Sequence, residues 1–97
     1  MSDQAAAGAL TRDIKIVNKK GLHARASAKF VQVAERYDAA VTVTRHNETV
    51  GGTSIMGLMM LSAGIGTTIN VSATGPDATE AVQAIADLMA NKFGEEE

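Results

Sequence analysis

The apolar residues of this chain switch repeatedly between a spacing of two and a spacing near 3.6, and that switching restricts the fold more than any other feature. Residues 13–18 alternate, with Ile14 and Ile16 on one face and Asp13 and Lys15 on the other, which predicts a half-buried strand. Gly21 turns the chain. Over residues 24–37, Ala26, Phe30, Val33, Ala34 and Tyr37 share one side of a helix, and Arg25, Lys29, Gln32 and Arg36 share the other. Val41 and Val43 restore the alternation, residues 45–48 read as a hairpin loop, and a short strand at 48–50 ends at Gly51-Gly52. Ser54 is a plausible N-cap for a brief helix at 55–61, Ile69, Val71 and Ala73 mark a strand at 67–73, and Gly75-Pro76 breaks it. Asp77 with Glu80 resembles a capping box, after which Val82, Ile85, Ala86, Met89 and Phe93 recur at helical spacing until Gly94 supplies the stop.

The order is β-α-β-β-α-β-α. Alternating strands have one apolar face each, so one cover suffices; this predicts an α/β (α+β) open-faced sandwich, a four-stranded antiparallel sheet covered on one side by three helices. The order of strands across the sheet does not follow from the pattern. At 97 residues, 45% hydrophobic, the chain is expected to form a single domain over residues 11–97, preceded by a flexible leader at 1–10. No run approaches the roughly 18 apolar residues that cross a bilayer, and the N-terminus lacks the pattern of a signal peptide, so a soluble, cytoplasmic protein without membrane insertion is expected. The absence of cysteine excludes disulfides, thiolate metal sites and cysteine nucleophiles. A net charge of −2 and three aromatic residues argue against a nucleic-acid surface.

Charge is nevertheless uneven. Lys19, Lys20, Arg25, Lys29 and Arg36 crowd the region of His23, while Glu95, Glu96 and Glu97 form an acidic tail. His23 lies between the Gly21 turn and the first turn of the predicted helix, where unpaired N–H groups and the positive dipole end stabilise an anion. A phosphoryl acceptor needs a neutral imidazole with a free ring nitrogen, a state favoured at such a position. Arg25 could neutralise phosphoryl oxygens with its forked donors. The plainer alternative is a histidine that only caps a helix in a non-catalytic regulatory or ligand-binding module.

The segment 21–25, Gly-Leu-His-Ala-Arg, followed by 53–59, Thr-Ser-Ile-Met-Gly-Leu-Met, closely resembles the HPr phosphocarrier family of the bacterial phosphoenolpyruvate-dependent phosphotransferase system. The resemblance covers residues 12–93. It implies that His23 is phosphorylated on Nδ1 with Arg25 as its partner, and that Ser54 corresponds to a serine phosphorylated by a dedicated kinase in many relatives. It places Ile55, Met56 and Met59, with Ala24 and Lys29, where relatives dock onto other proteins. The implied function is a relay, not an enzyme, from phosphorylated Enzyme I to Enzyme IIA or IIB components. It implies no cofactor beyond the phosphoryl group itself, a monomer, and a kinase or phosphorylase acting on Ser54. The chain departs from the family at Ala26, where most relatives carry proline; alanine, the best helix former, should preserve the helix start.

Ser54 also has a purely structural explanation as an N-cap. Leu58 and Leu61 are expected in the core, whereas the opposite side of so short a helix cannot also be buried. His46 is expected in solvent, and two histidines without a carboxylate or cysteine pattern do not argue for a metal site.

Overall fold

A computed structural model describes residues 9–95. It contains β1 (Ala9–Lys15), α1 (Ala24–Ala34), β2 (Ala40–Arg45), β3 (Glu48–Gly51), α2 (Ile55–Met60), β4 (Thr68–Thr74), α3 (Ala78–Ala90) and a closing 3₁₀ turn (Lys92–Gly94). The four strands form one antiparallel sheet in the order β1-β4-β2-β3. The expected open-faced sandwich is the observed architecture, and the central strands β4 and β2 carry the most deeply buried sheet positions: Ile69, Val71, Ala73 and Val43.

The first strand begins four residues earlier than the alternation suggested, at Ala9 instead of residue 13. Ala9 and Leu10, assigned by the sequence to the leader, pair with Thr74 and Ala73 of β4; the rest of that leader, residues 1–8, lies outside the described residues. Ile16, expected inside the strand, follows it. It is buried and still exchanges backbone bonds with the 66–67 turn, from its N–H to the Thr67 carbonyl (2.8 Å) and from the Gly66 N–H to its own carbonyl (2.8 Å). Cross-strand bonding, invisible in a local pattern, sets both limits.

The β2–β3 hairpin closes through His46 and Asn47, both in the left-handed region at φ 52° and 67°, with Arg45 paired to Glu48. That is the geometry whose twist matches paired strands. The helix expected to end at residue 37 ends at Ala34, and Tyr37 lies half-buried beyond it. Asp77 stands at the N-cap of α3 but its side chain makes no cap hydrogen bond, so the expected capping box is not formed. Its Oδ2 instead accepts the Asp38 N–H at 2.8 Å, tying the α1–β2 loop to the start of α3. Phe93 continues the apolar spacing of α3 without belonging to it. The helix stops at Ala90, Lys92 and Phe93 both take φ 56°, and this left-handed turn carries the buried Phe93 ring into the core.

Candidate functional site

Asn18 and Gly21 shape the segment that presents His23. The Gly21 N–H bonds the Asn18 carbonyl (3.2 Å), and the Asn18 side-chain Nδ2 donates back to the Gly21 carbonyl (2.9 Å). Gly21 has φ +65°, and a Cβ there would collide with the Ala63 carbonyl and the Gly64 Cα, so only glycine fits. The following residue, Leu22, is buried and bonds the Ala63 carbonyl through its N–H at 3.0 Å. Chain direction is thereby set just before α1.

His23 is the N-cap residue of α1, with extended backbone, and its carbonyl accepts the Ser27 N–H at 2.8 Å. Its ring makes no cap hydrogen bond, so the amides of Ala24, Arg25 and Ala26 remain without an intrahelical partner. This counts against the imidazole serving as a helix cap. Ala26 is fully buried in the first turn, and the helix start is intact without proline. The His23 side chain is 28% exposed and borders two hollows. One, of about 480 Å³, is lined by Lys20, Ala24, Arg25, Lys29, Gly94 and Glu95; the other, of about 190 Å³, by Lys20, Leu22 and the 62–64 loop. Arg25 is exposed and lines the larger hollow.

Two residues that the sequence did not single out complete the site. Glu95, read as part of an acidic tail, folds back so that its Oε2 lies 2.5 Å from His23 Nε2, and its side chain is only 10% exposed. Asn18, fully buried, donates from Nδ2 to Glu95 Oε1 at 3.2 Å. Burial pushes the Glu95 carboxyl up, but hydrogen bonds from His23 and Asn18 and the nearby charges of His23 and Lys20 outweigh it, holding the group below the ordinary carboxylate value. The imidazole therefore sits between the open amide end of α1 and the Glu95 carboxylate. No local signal marked Glu95, because only the left-handed turn at 92–93 reverses the chain toward α1.

Lys29, expected as a free basic residue on the outer face of the first helix, is half-buried and donates from Nζ to the Phe93 carbonyl at 2.7 Å. It therefore anchors the same turn that delivers Glu95. Ser54 caps α2, its Oγ accepting the Gly57 N–H at 3.0 Å, and it is exposed. Leu58 and Leu61 are buried, while Ile55, Met56 and Met59 are 40%, 72% and 41% exposed. Met60, on the same side of the helix, is 66% exposed, and Ile65 beyond it is 57% exposed. His46 is exposed at the hairpin tip. Among the described residues no group of three or more His, Cys, Asp or Glu is placed to hold a metal ion, and no helix is long and apolar enough to cross a membrane.

An open-faced α/β sandwich with a partly exposed histidine at the start of its first helix, ringed by cations and backed by an apolar surface, is the architecture of a phosphoryl carrier. Residues 10–91 match the PTS-HPr family, described as the PTS HPr component phosphorylation site. The chain is 51% identical over 88 residues to the phosphocarrier protein HPr of Cupriavidus necator, covering 91% of this chain and 99% of that one. It is 50% identical over 86 residues to HPr of Pseudomonas aeruginosa, covering 88% and 96% of the two chains. The crystal structure of HPr-C-His from Thermoanaerobacter tengcongensis superposes with a TM-score of 0.86 at 43% identity, covering 91% of this chain and 99% of the other. That of HPr from Bacillus anthracis gives 0.80 at 37%, covering 84% and 96%. The chain belongs to the HPr family of phosphocarrier proteins of the phosphotransferase system.

Proposed function

We propose that His23 accepts a phosphoryl group on Nδ1 from phosphorylated Enzyme I and passes it to Enzyme IIA or IIB components in the cytoplasm, with no resident cofactor. The observation that carries this reading is the ring's placement: Glu95 engages Nε2, so Nδ1 is the other nitrogen, on a ring bordered by Lys20, Arg25 and the unpaired amides of α1. Arg25 neutralises the phosphoryl oxygens during transfer, its fork suiting two oxygens at once. The relay hands the phosphoryl group from one protein to another, and chemistry takes place only while a partner covers the ring.

Ile55, Met56 and Met59, with the exposed Met60 and Ile65, form the apolar part of the docking surface, and Ala24 and Lys29, which line the hollow beside His23, belong to its part around the ring. Methionine suits a surface that meets several partners, because its flexible side chain adapts to each. Both partners must reach the same ring, so they bind in turn through small, short-lived interfaces, and a single copy of the chain suffices. Phosphorylation of Ser54 by a kinase would add about −1.5 to −2 charges beside Ile55 and Met56 and weaken docking onto acidic partners.

The test is transfer of labelled phosphate from Enzyme I and phosphoenolpyruvate to the wild type, His23→Ala and Arg25→Ala. The wild type gains one acid-labile, alkali-stable phosphate, His23→Ala gains none, and Arg25→Ala is labelled more slowly. Label that survives in His23→Ala refutes the assignment.

A further inference from the structure

The Asn18–Glu95–His23 chain of contacts joins the turn before α1, the segment after the 3₁₀ turn and the imidazole in one polar group. Building on His23 as phosphoryl acceptor, we infer that Glu95, oriented by Asn18, is a positioning residue that holds the proton on Nε2 and so keeps the lone pair of Nδ1 available for phosphoryl transfer. Glu95 carries both a hydrogen bond from Asn18 Nδ2 to Oε1 and a contact from Oε2 to His23 Nε2. An ionised carboxylate only accepts, so the proton between Oε2 and Nε2 belongs to the ring.

Asn18 reinforces the assignment. Its two side-chain N–H bonds are directed to the Gly21 carbonyl and Glu95, whereas its buried Oδ1 has no partner among the described residues. Turning the amide over would set Oδ1 against two other oxygens, so the donor faces Glu95. The fold keeps a buried polar atom unpaired there, and what the arrangement secures is a carboxylate oriented on His23. The turn behind it is held just as firmly: Phe93 is buried, Lys29 bonds its carbonyl, and Lys92 and Phe93 both occupy the left-handed region.

The chemistry balances without another component. The Nδ1 lone pair forms the bond to phosphorus as the donor's N–P bond breaks and its electron pair returns to the donor nitrogen. Nε2 keeps its proton, and the positive charge that arises on the ring faces Glu95, as a buried carboxylate stabilises an imidazolium elsewhere. In the onward step the Nδ1–P electron pair returns to Nδ1 and the ring leaves neutral.

The arrangement makes an unusual prediction for the isosteric variant Glu95→Gln. A glutamine amide has one oxygen and one NH₂. With its oxygen accepting from Asn18, its NH₂ faces Nε2, which must then accept, driving the proton to Nδ1 and blocking the nucleophile. Glu95→Gln is therefore more damaging than Glu95→Ala, and adding Asn18→Ala to Glu95→Gln restores part of the loss. In phosphotransfer from Enzyme I to a soluble Enzyme IIA, Glu95→Ala lowers kcat roughly tenfold with KM unchanged, and Glu95→Gln lowers it further. ¹⁵N NMR of the unphosphorylated ring reports the tautomer independently of transfer, with the Nδ1–H form rising in Glu95→Ala and dominating in Glu95→Gln. Wild-type tautomers in both variants, or Gln milder than Ala, overturns the inference. Absence of label on wild-type His23 instead refutes the proposed function while leaving the tautomer measurement decisive for Glu95.

Discussion

Glu95 shows how one side chain can be set by contacts far along the chain. Because its carboxyl is held below the ordinary value of 4.5, the bond to His23 stabilises the fold above that pH and is lost as pH falls through the depressed value. Below the folded value both the folded and the unfolded states are protonated and the advantage disappears. The side-chain ¹³C carboxyl resonance of Glu95 is expected to titrate with a midpoint below 4.5, and a midpoint at or above it contradicts the geometry. His23 and Arg25 were legible as candidates from glycine turn, helix start and charge alone. Asn18 was not, since a lone asparagine before a glycine turn reads as turn chemistry; its reach to Glu95 depends on a residue 77 positions away.

At the scale of elements, local periodicity found the four strands and three α-helices of the described residues but missed several ends and the closing 3₁₀ turn. The missed ends are those determined by a partner. β1 extends to Ala9 because β4 runs to Thr74, and Asp77 leaves its own helix uncapped because the Asp38 N–H lies within reach. Where the determinants are local, as at Ser54, the sequence sufficed. α2 has only six residues and a single buried one, Leu58, so its cap carries much of its stability. Ser54→Ala is expected to cost about 1 kcal/mol in denaturant unfolding. Ser54→Asp keeps the cap, leaves stability near wild type and weakens binding to Enzyme I several-fold in calorimetry. Equal binding by Ser54→Asp and wild type would remove the case for a regulatory role at this position.

For the molecule as a whole, the three helices share one face of the sheet, and the buried Phe93 lies where the closing turn meets α1 and α3. Removing that ring opens a cavity in the core and releases the turn that carries Glu95. Phe93→Ala is expected to cost about 3–5 kcal/mol in urea unfolding. At temperatures where the variant remains folded, its phosphotransfer falls toward the rate of Glu95→Ala, because both lose the same contact. A Phe93→Ala variant that is destabilised yet transfers at the wild-type rate would show that the closing turn and the histidine are uncoupled.

The chain's own pattern of apolar spacing, glycine turns and caps determined the α/β sandwich, the helix that begins at His23 and the apolar surface of α2, since each depends on neighbours within a few residues. Only the tertiary structure decided the strand order, the anchoring of Lys29 and the approach of Asn18 and Glu95 to the ring. Those contacts join residues tens of positions apart, and their geometry exists only after the core has closed around Phe93 and brought the two ends of the domain together.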